Sequence, residues 1–328
     1  MKYSPVIITT LCRFDYFKNC IESLLLNEEA KNTELYIGLD YPTKKEHWDG
    51  YNKILEYCKH QISGFSKLHL IVREYNFGPD DNAFDLFKIV EKTHDRFIFS
   101  EDDNVFSKSF LKYMNIAIEK SENNDDIFVV CGYSYPILWK EDSSVIKMQT
   151  LVSAWGYGST FIKYRKFCDE YNMDLLNKNF NLKAIRAIKK ISPKNYCYYV
   201  NKVWAQAVAY HDTDMQLYQI LTNRYCLMPR KSLVRNRGWD GSGEHCHIAK
   251  YDFASQPIDL TCDGIDKEEL VCDEYFVEND YWANLFLGKV LPNPKIEYFK
   301  NEIQIIMIKA KLVGLYKRLK SLILMKNR

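Results

Sequence analysis

A chain of 328 residues with 45 Lys/Arg, 43 Asp/Glu and a formal net charge of +2 can bury a large core, and its balance excludes a general nucleic-acid binder. No run approaches the roughly 18 apolar residues needed to span a bilayer. Ten cysteines without a Cys-x-x-Cys pair read as reduced thiols. The opening Met1-Lys2-Tyr3-Ser4-Pro5 leads straight into a strand, so the expectation is a cytoplasmic protein with no signal peptide. Aromatics make up 15% of the residues, enough for core and for stacking on sugars or bases.

In chain order, Val6–Thr10 reads as a first strand. Asp15 can cap a helix whose apolar stripe is Phe17, Cys20, Ile21, Leu24 and Leu25. Leu35–Leu39 is a second strand closed by Asp40-Tyr41-Pro42. Trp48, Tyr51, Leu55, Cys58 and Ile62 mark the next helix, and Leu68–Val72 a third strand. Ala83, Phe84, Phe87 and Val90 mark another helix. Phe97–Phe99 lacks alternation, as expected of a strand buried on both faces. A helix through Phe110, Leu111, Met114, Ala117 and Ile118 then precedes a fifth strand, Ile127–Cys131. The repetition predicts an α/β fold, a mostly parallel central sheet flanked by helices. Neither Gly-x-Gly-x-x-Gly nor a Walker lysine loop is present, which disfavours the usual dinucleotide and P-loop readings.

From Gly132 the pattern is irregular. Ser153–Thr160 is rich in glycine and aromatics, and 179–199 reads as a helical excursion with Leu182, Ile185 and Ile188 on one side. A helix over 203–223 precedes a strand at Cys226–Met228, and Arg235–His247 is a polar loop. With no repeat or linker, one globular unit is expected. Its tail, 300–328, is predicted to be a basic amphipathic helix with Ile305, Ile308, Leu312, Leu315, Leu319 and Leu322 in one stripe. Such a helix lies on an anionic membrane surface, on its own domain or on a second subunit.

The most informative junction is Phe99-Ser100-Glu101-Asp102-Asp103. Three consecutive carboxylates at a strand end repel one another unless a cation or donors sit among them. Ligands of open α/β sheets bind at the carboxyl ends of strands, and hard ions such as Mg²⁺ or Mn²⁺ take carboxylate oxygens. A polar loop capping the next helix is the plainer reading of the same residues.

Five segments together resemble an inverting GT-A-fold glycosyltransferase of the bacterial family 2 type. They are Pro5–Asp15; Ile37-Gly38-Leu39-Asp40; Phe99–Asp103; Ser153-Ala154-Trp155-Gly156-Tyr157-Gly158-Ser159-Thr160; and Ser232–Cys246, which is similar to an Asn-x-Gly-x-Asp-x-x-Gly-x-His stretch. The acidic motif is also similar, more distantly, to Golgi N-acetylglucosaminyltransferases that act on mannose. The resemblance implies a nucleotide-sugar donor, a UDP-sugar, with Thr9, Arg13, Asp40 and Asp102 on the nucleotide. It implies Mn²⁺ or Mg²⁺ on Asp103 with His245. Glu101, Asn76, Trp155, Gly156 and Tyr157 fall beside the donor sugar or the saccharide acceptor. The acceptor-activating base falls on Asp214 of Asp214-Met215-Gln216, with Asp212 second because the motif's flanking tryptophans are absent. Asp40 as a turn opener, Arg13 as a surface charge, Trp155 as core and either aspartate as a helix cap remain open alternatives. In this frame residues 1–131 are the nucleotide-sugar half and 132–299 the acceptor half. By analogy the product is a bacterial surface polysaccharide, made at the inner face of the membrane on a lipid-linked acceptor.

Overall fold

The computed structural model describes residues 2–135, 145–241, 255, 256, 258, 272, 273 and 294–314. Four strands run parallel in the spatial order β3-β2-β1-β4: β1 (Val6–Thr10), β2 (Glu34–Leu39), β3 (Lys67–Val72) and β4 (Arg96–Glu101). Val6, Ile7, Ile8, Phe97 and Ile98 are wholly buried, which requires helices over both faces. These are α1 (Phe14–Leu25), α2 (His47–His60), α3 (Gly78–Val90) and α4 (Phe110–Ser121). α1 turns Phe17, Cys20, Ile21 and Leu24 inward on the expected period. α2 instead buries Tyr51, Ile54, Tyr57 and Cys58. Trp48 flanks that stripe, exposed, edge-on to Tyr41 and Tyr51.

Past β4 the sheet changes character. β6 (Ile127–Cys131), expected among the parallel strands, is separated from β4 by β8 (Tyr157–Thr160), which runs antiparallel to both. Gly158 makes this possible, because a Cβ there would lie 2.6 Å from the Phe97 carbonyl. With β7 (Val145–Met148), β9 (Tyr225–Pro229) and β11 (Cys272–Asp273) the order is β11-β7-β9-β6-β8-β4-β1-β2-β3. Among the described residues, five neighbouring pairs are parallel and three antiparallel. A separate ribbon joins β5 (Asn104–Phe106) to β10 (Val234–Asn236), with Asn104 opposite Asn236. It ties residues 234–241 to the acidic junction, which no sequence period announces.

α5 (Phe161–Glu170), α6 (Met173–Asn179) and α7 (Leu182–Ile191) follow β8. Ile185 and Ile188 of α7 are buried as expected, but Leu182 is exposed at the first turn. The helix expected over 203–223 is two, α8 (Pro193–Ala205) and α9 (Asp212–Thr222), because Gln206 adopts a left-handed φ of 58° and ends the first. The C-terminal helix α10 (Pro294–Lys309) starts before the expected 300. It buries Ile305 with Asn301 and Gln304, and Lys311 at φ 57° follows it. Ile308 is partly buried against the core, and Leu312, beyond the helix end, is exposed. Leu315, Leu319 and Leu322 lie outside the described residues.

Candidate active site

The carboxyl ends of β1 and β4 meet side by side, with Thr9 in register with Glu101. Thr10 Oγ1 donates to Asp102 Oδ2 at 2.7 Å. Arg13, immediately before α1, brings Nη2 to 2.5 Å from Asp102 Oδ1 and 2.9 Å from Asp103 Oδ2. From the ribbon side, Asn236 Nδ2 donates to Asp103 Oδ1 at 2.6 Å, and the Arg237 amide donates to the Asp103 carbonyl at 2.9 Å. Gly238 closes the ring: a Cβ there would stand 2.0 Å from Asp103 Oδ2 and 3.1 Å from Arg13 Nη1. Only glycine lets this loop approach so closely. At the rim, Tyr16 donates to Asp240 Oδ2 at 2.6 Å while Arg13 lies over the Tyr16 ring.

The cluster is strained electrostatically. Burial and the neighbouring Asp102 push the Asp103 carboxyl up, against the opposing pull of Arg13 and Asn236. Glu101 is pushed up to about 8, by burial first and then by Asp103, Asp212 and Asp102. Burial alone lowers the Arg13 guanidinium, but Asp102 and Asp103 outweigh it and raise the pKa. One guanidinium thus serves two buried aspartates, and among the described residues its Nη1 is buried with no hydrogen-bond partner.

Asp212 opens α9, half-buried, and its charge reaches both Glu101 and Tyr157. Tyr157 sits in β8 opposite Phe99, and burial, ahead of Cys131 and Asp212, raises its pKa. The structure therefore brings together Arg13, Glu101, Asp102, Asp103, Asp212 and Tyr157.

Other expected residues fall elsewhere. Asp214 is wholly buried, and its carboxylate accepts from Tyr171 at 2.7 Å, Tyr198 at 2.6 Å and the His211 amide at 3.3 Å, with Lys202 Nζ at 3.4 Å. Four donors occupy the acceptor sites of the Asp214 carboxylate. Asp40 is likewise saturated. It accepts from the amides of Tyr41, Phe77 and Gly78 at 2.8, 2.8 and 2.9 Å and from Asn76 Nδ2 at 3.2 Å, anchoring the start of α3 to the end of β2. Asp40 thus holds the turn between β2 and α3. Asn76 is spent on the same turn, also donating to the Tyr41 carbonyl.

Thr10, not Thr9, holds Asp102, since successive strand side chains point to opposite faces. Trp155 is partly buried, edge-on to Tyr133 and Trp239, and Gly156 at φ 95° lets its carbonyl accept from the Gly132 amide at 2.8 Å. His245 lies outside the described residues. Sequence reasoning included Thr10, Asn236 and Gly238 in the segments it singled out but gave none of them a role at the acidic junction, and it did not name Tyr16.

Carboxylate oxygens suit Mg²⁺ or Mn²⁺, and the guanidinium already standing between Asp102 and Asp103 is a stand-in for such a cation. Among the described residues no three His, Cys, Asp or Glu side chains form a metal cage.

No protein-family model matches the chain, and no curated protein matches it. Among solved structures, it is similar over 40% of its length to S. aureus TarS, at 21% identity and a TM-score of 0.30. It is similar over 48% of its length to TarS residues 1–349, at 18% identity and a TM-score of 0.34. The mannosyltransferase PcManGT from Pyrobaculum calidifontis, solved with GDP-Man and Mn²⁺, is similar over 41% of this chain at 12% identity and a TM-score of 0.33. The chain spans 21%, 46% and 37% of those three chains respectively.

Proposed function

We propose that this chain is a GT-A-type glycosyltransferase that moves a sugar from a nucleotide diphosphate donor, a UDP-sugar, to a saccharide acceptor with inversion. The observation that carries the reading is the meeting of Arg13, Asp102 and Asp103 with Glu101 and Asp212 at the carboxyl ends of β1 and β4. Residues 1–131 serve as the donor half and 132–299 as the acceptor half.

Departure of a diphosphate builds negative charge on its oxygens. Arg13 is placed to meet that charge, because its Nη1 is unpartnered while Nη2 is tethered by two aspartates. Asp103, with Asp102 beside it, is the residue that would hold Mn²⁺ or Mg²⁺, and such an ion would neutralise the same leaving group when bound. Asp212 takes the base role in place of Asp214, accepting the proton of the attacking acceptor hydroxyl. Glu101, whose carboxyl is pushed up by burial and by Asp103, Asp212 and Asp102, contacts the donor sugar. Tyr157 walls the pocket beside them.

Release of UDP from a panel of UDP-sugars, in the presence of Mn²⁺ and mixed saccharide acceptors, tests the reading. At least one donor should yield free UDP together with a lengthened acceptor. Pyrophosphate release from UTP and a sugar 1-phosphate, with no UDP from any donor, would assign the site to nucleotidyl transfer instead.

A further inference from the structure

α7 and α10 share an unusual surface chemistry. α7 carries Lys183, Arg186, Lys189 and Lys190 and no acid; it buries Ile185 and Ile188 and leaves Lys183, Arg186 and Lys190 exposed. α10 buries Asn301, Gln304 and Ile305, yet Phe299, Ile303 and Ile306 on the opposite face are 71%, 43% and 66% exposed. At about 100° per residue those three side chains fall within an arc of about 60°. Lys189 joins the two helices, ion-paired with Glu302 at 2.7 Å and lying over the Tyr298 ring. The sequence after Lys309 continues with Lys311, Lys317, Arg318, Lys320, Lys326 and Arg328 and contains no Asp or Glu.

We propose that α7 and α10 form a docking surface for an anionic lipid bilayer. Phe299, Ile303 and Ile306 enter the boundary between headgroups and acyl chains, while Lys183, Arg186 and Lys190 meet lipid phosphates. No described helix is long and apolar enough to cross a membrane, so the contact lies along its surface. The charge selects this occupant. A second copy of the chain placed face to face would set the same cations against one another, and an arc of three apolar residues is narrow for a stable dimer. An anionic bilayer complements both features at once. The inference stands apart from the catalytic reading, since no residue of the candidate site takes part.

Flotation of the full chain with vesicles of phosphatidylcholine, alone or with about one third phosphatidylglycerol, tests it. Binding to the anionic vesicles should exceed binding to neutral ones at least tenfold and weaken sharply in high salt. The combined variant Lys183→Gln, Arg186→Gln, Lys190→Gln should lose roughly fivefold per charge. The combined variant Phe299→Ser, Ile303→Ser, Ile306→Ser should fail to float while its thermal unfolding midpoint stays that of the parent, because all three side chains are exposed. Equal binding to both vesicle types, or none to either, would overturn the proposal. So would sedimentation showing a dimer that the serine variant dissolves while the parent ignores anionic vesicles.

Discussion

Asp40 follows β2 and Asp102 follows β4, the two strands that flank β1, yet the two carboxylates live in different chemistry. Asp40 is fed by three backbone amides and a side-chain amide. Asp214, on the far side of the site, is fed by two phenols, an amide and a lysine. Asp102 and Asp103 instead share a single guanidinium and have one further side-chain donor each, Thr10 and Asn236. A saturated carboxylate is a fixture of the fold, whereas an under-neutralised pair is poised to accept a cation or to release its arginine to a phosphate. The donor inventory therefore distinguishes Asp40 and Asp214 from Asp102 and Asp103, which proximity to a strand end does not.

The sharpest way to break this contrast is to compare the two aspartates of α9. Asp212→Asn should lower turnover by about 10²–10⁴ while leaving unfolding free energy within about 0.5 kcal/mol of the parent. Asp214→Ala should do the reverse in kind, losing about 3–5 kcal/mol in denaturant unfolding because Lys202, the buried Tyr171 and the half-buried Tyr198 are stranded. If instead Asp214→Ala folds normally and turns over slowly, the roles are exchanged. Asp40→Ala should lose about 1–3 kcal/mol, with faster amide exchange at Phe77 and Gly78, and keep UDP affinity within about threefold. A large loss of affinity would return Asp40 to the nucleotide.

Glu101 sharpens the comparison through pH. Its folded pKa of about 8 lies above the ordinary 4.5, so the folded chain holds a proton that the unfolded chain releases. That contribution is complete below about pH 4.5 and declines as pH rises toward 8, by at most about 1.4 kcal/mol per pH unit. Unfolding of Glu101→Gln across the same window should show a flatter slope. A slope identical to the parent's would mean that Glu101 is already ionised.

The strands β1, β2 and β4 were legible because buried parallel strands lack alternation, and α1 keeps a clean period. β8 was not, since a glycine-rich strand shows neither signal, and its place depends on Gly158 fitting beneath the Phe97 carbonyl. The acidic junction and Arg13 were each legible, but not that Arg13 pairs with Asp102 and Asp103. The choice between Asp212 and Asp214 was not legible. Asp212 and Asp214 are two residues apart on one helix, about 200° around its axis, so one faces the site and the other the core. A short Asp-x-Gln pattern carries no information about which.

The most direct test is calorimetric titration of UDP into the parent and into Arg13→Ala and Asp103→Asn, each with and without Mn²⁺. UDP should bind the parent more tightly with Mn²⁺, Asp103→Asn should lose that gain, and Arg13→Ala should bind weakly in both conditions. Parent-like binding by both variants would place the nucleotide elsewhere and contradict the account.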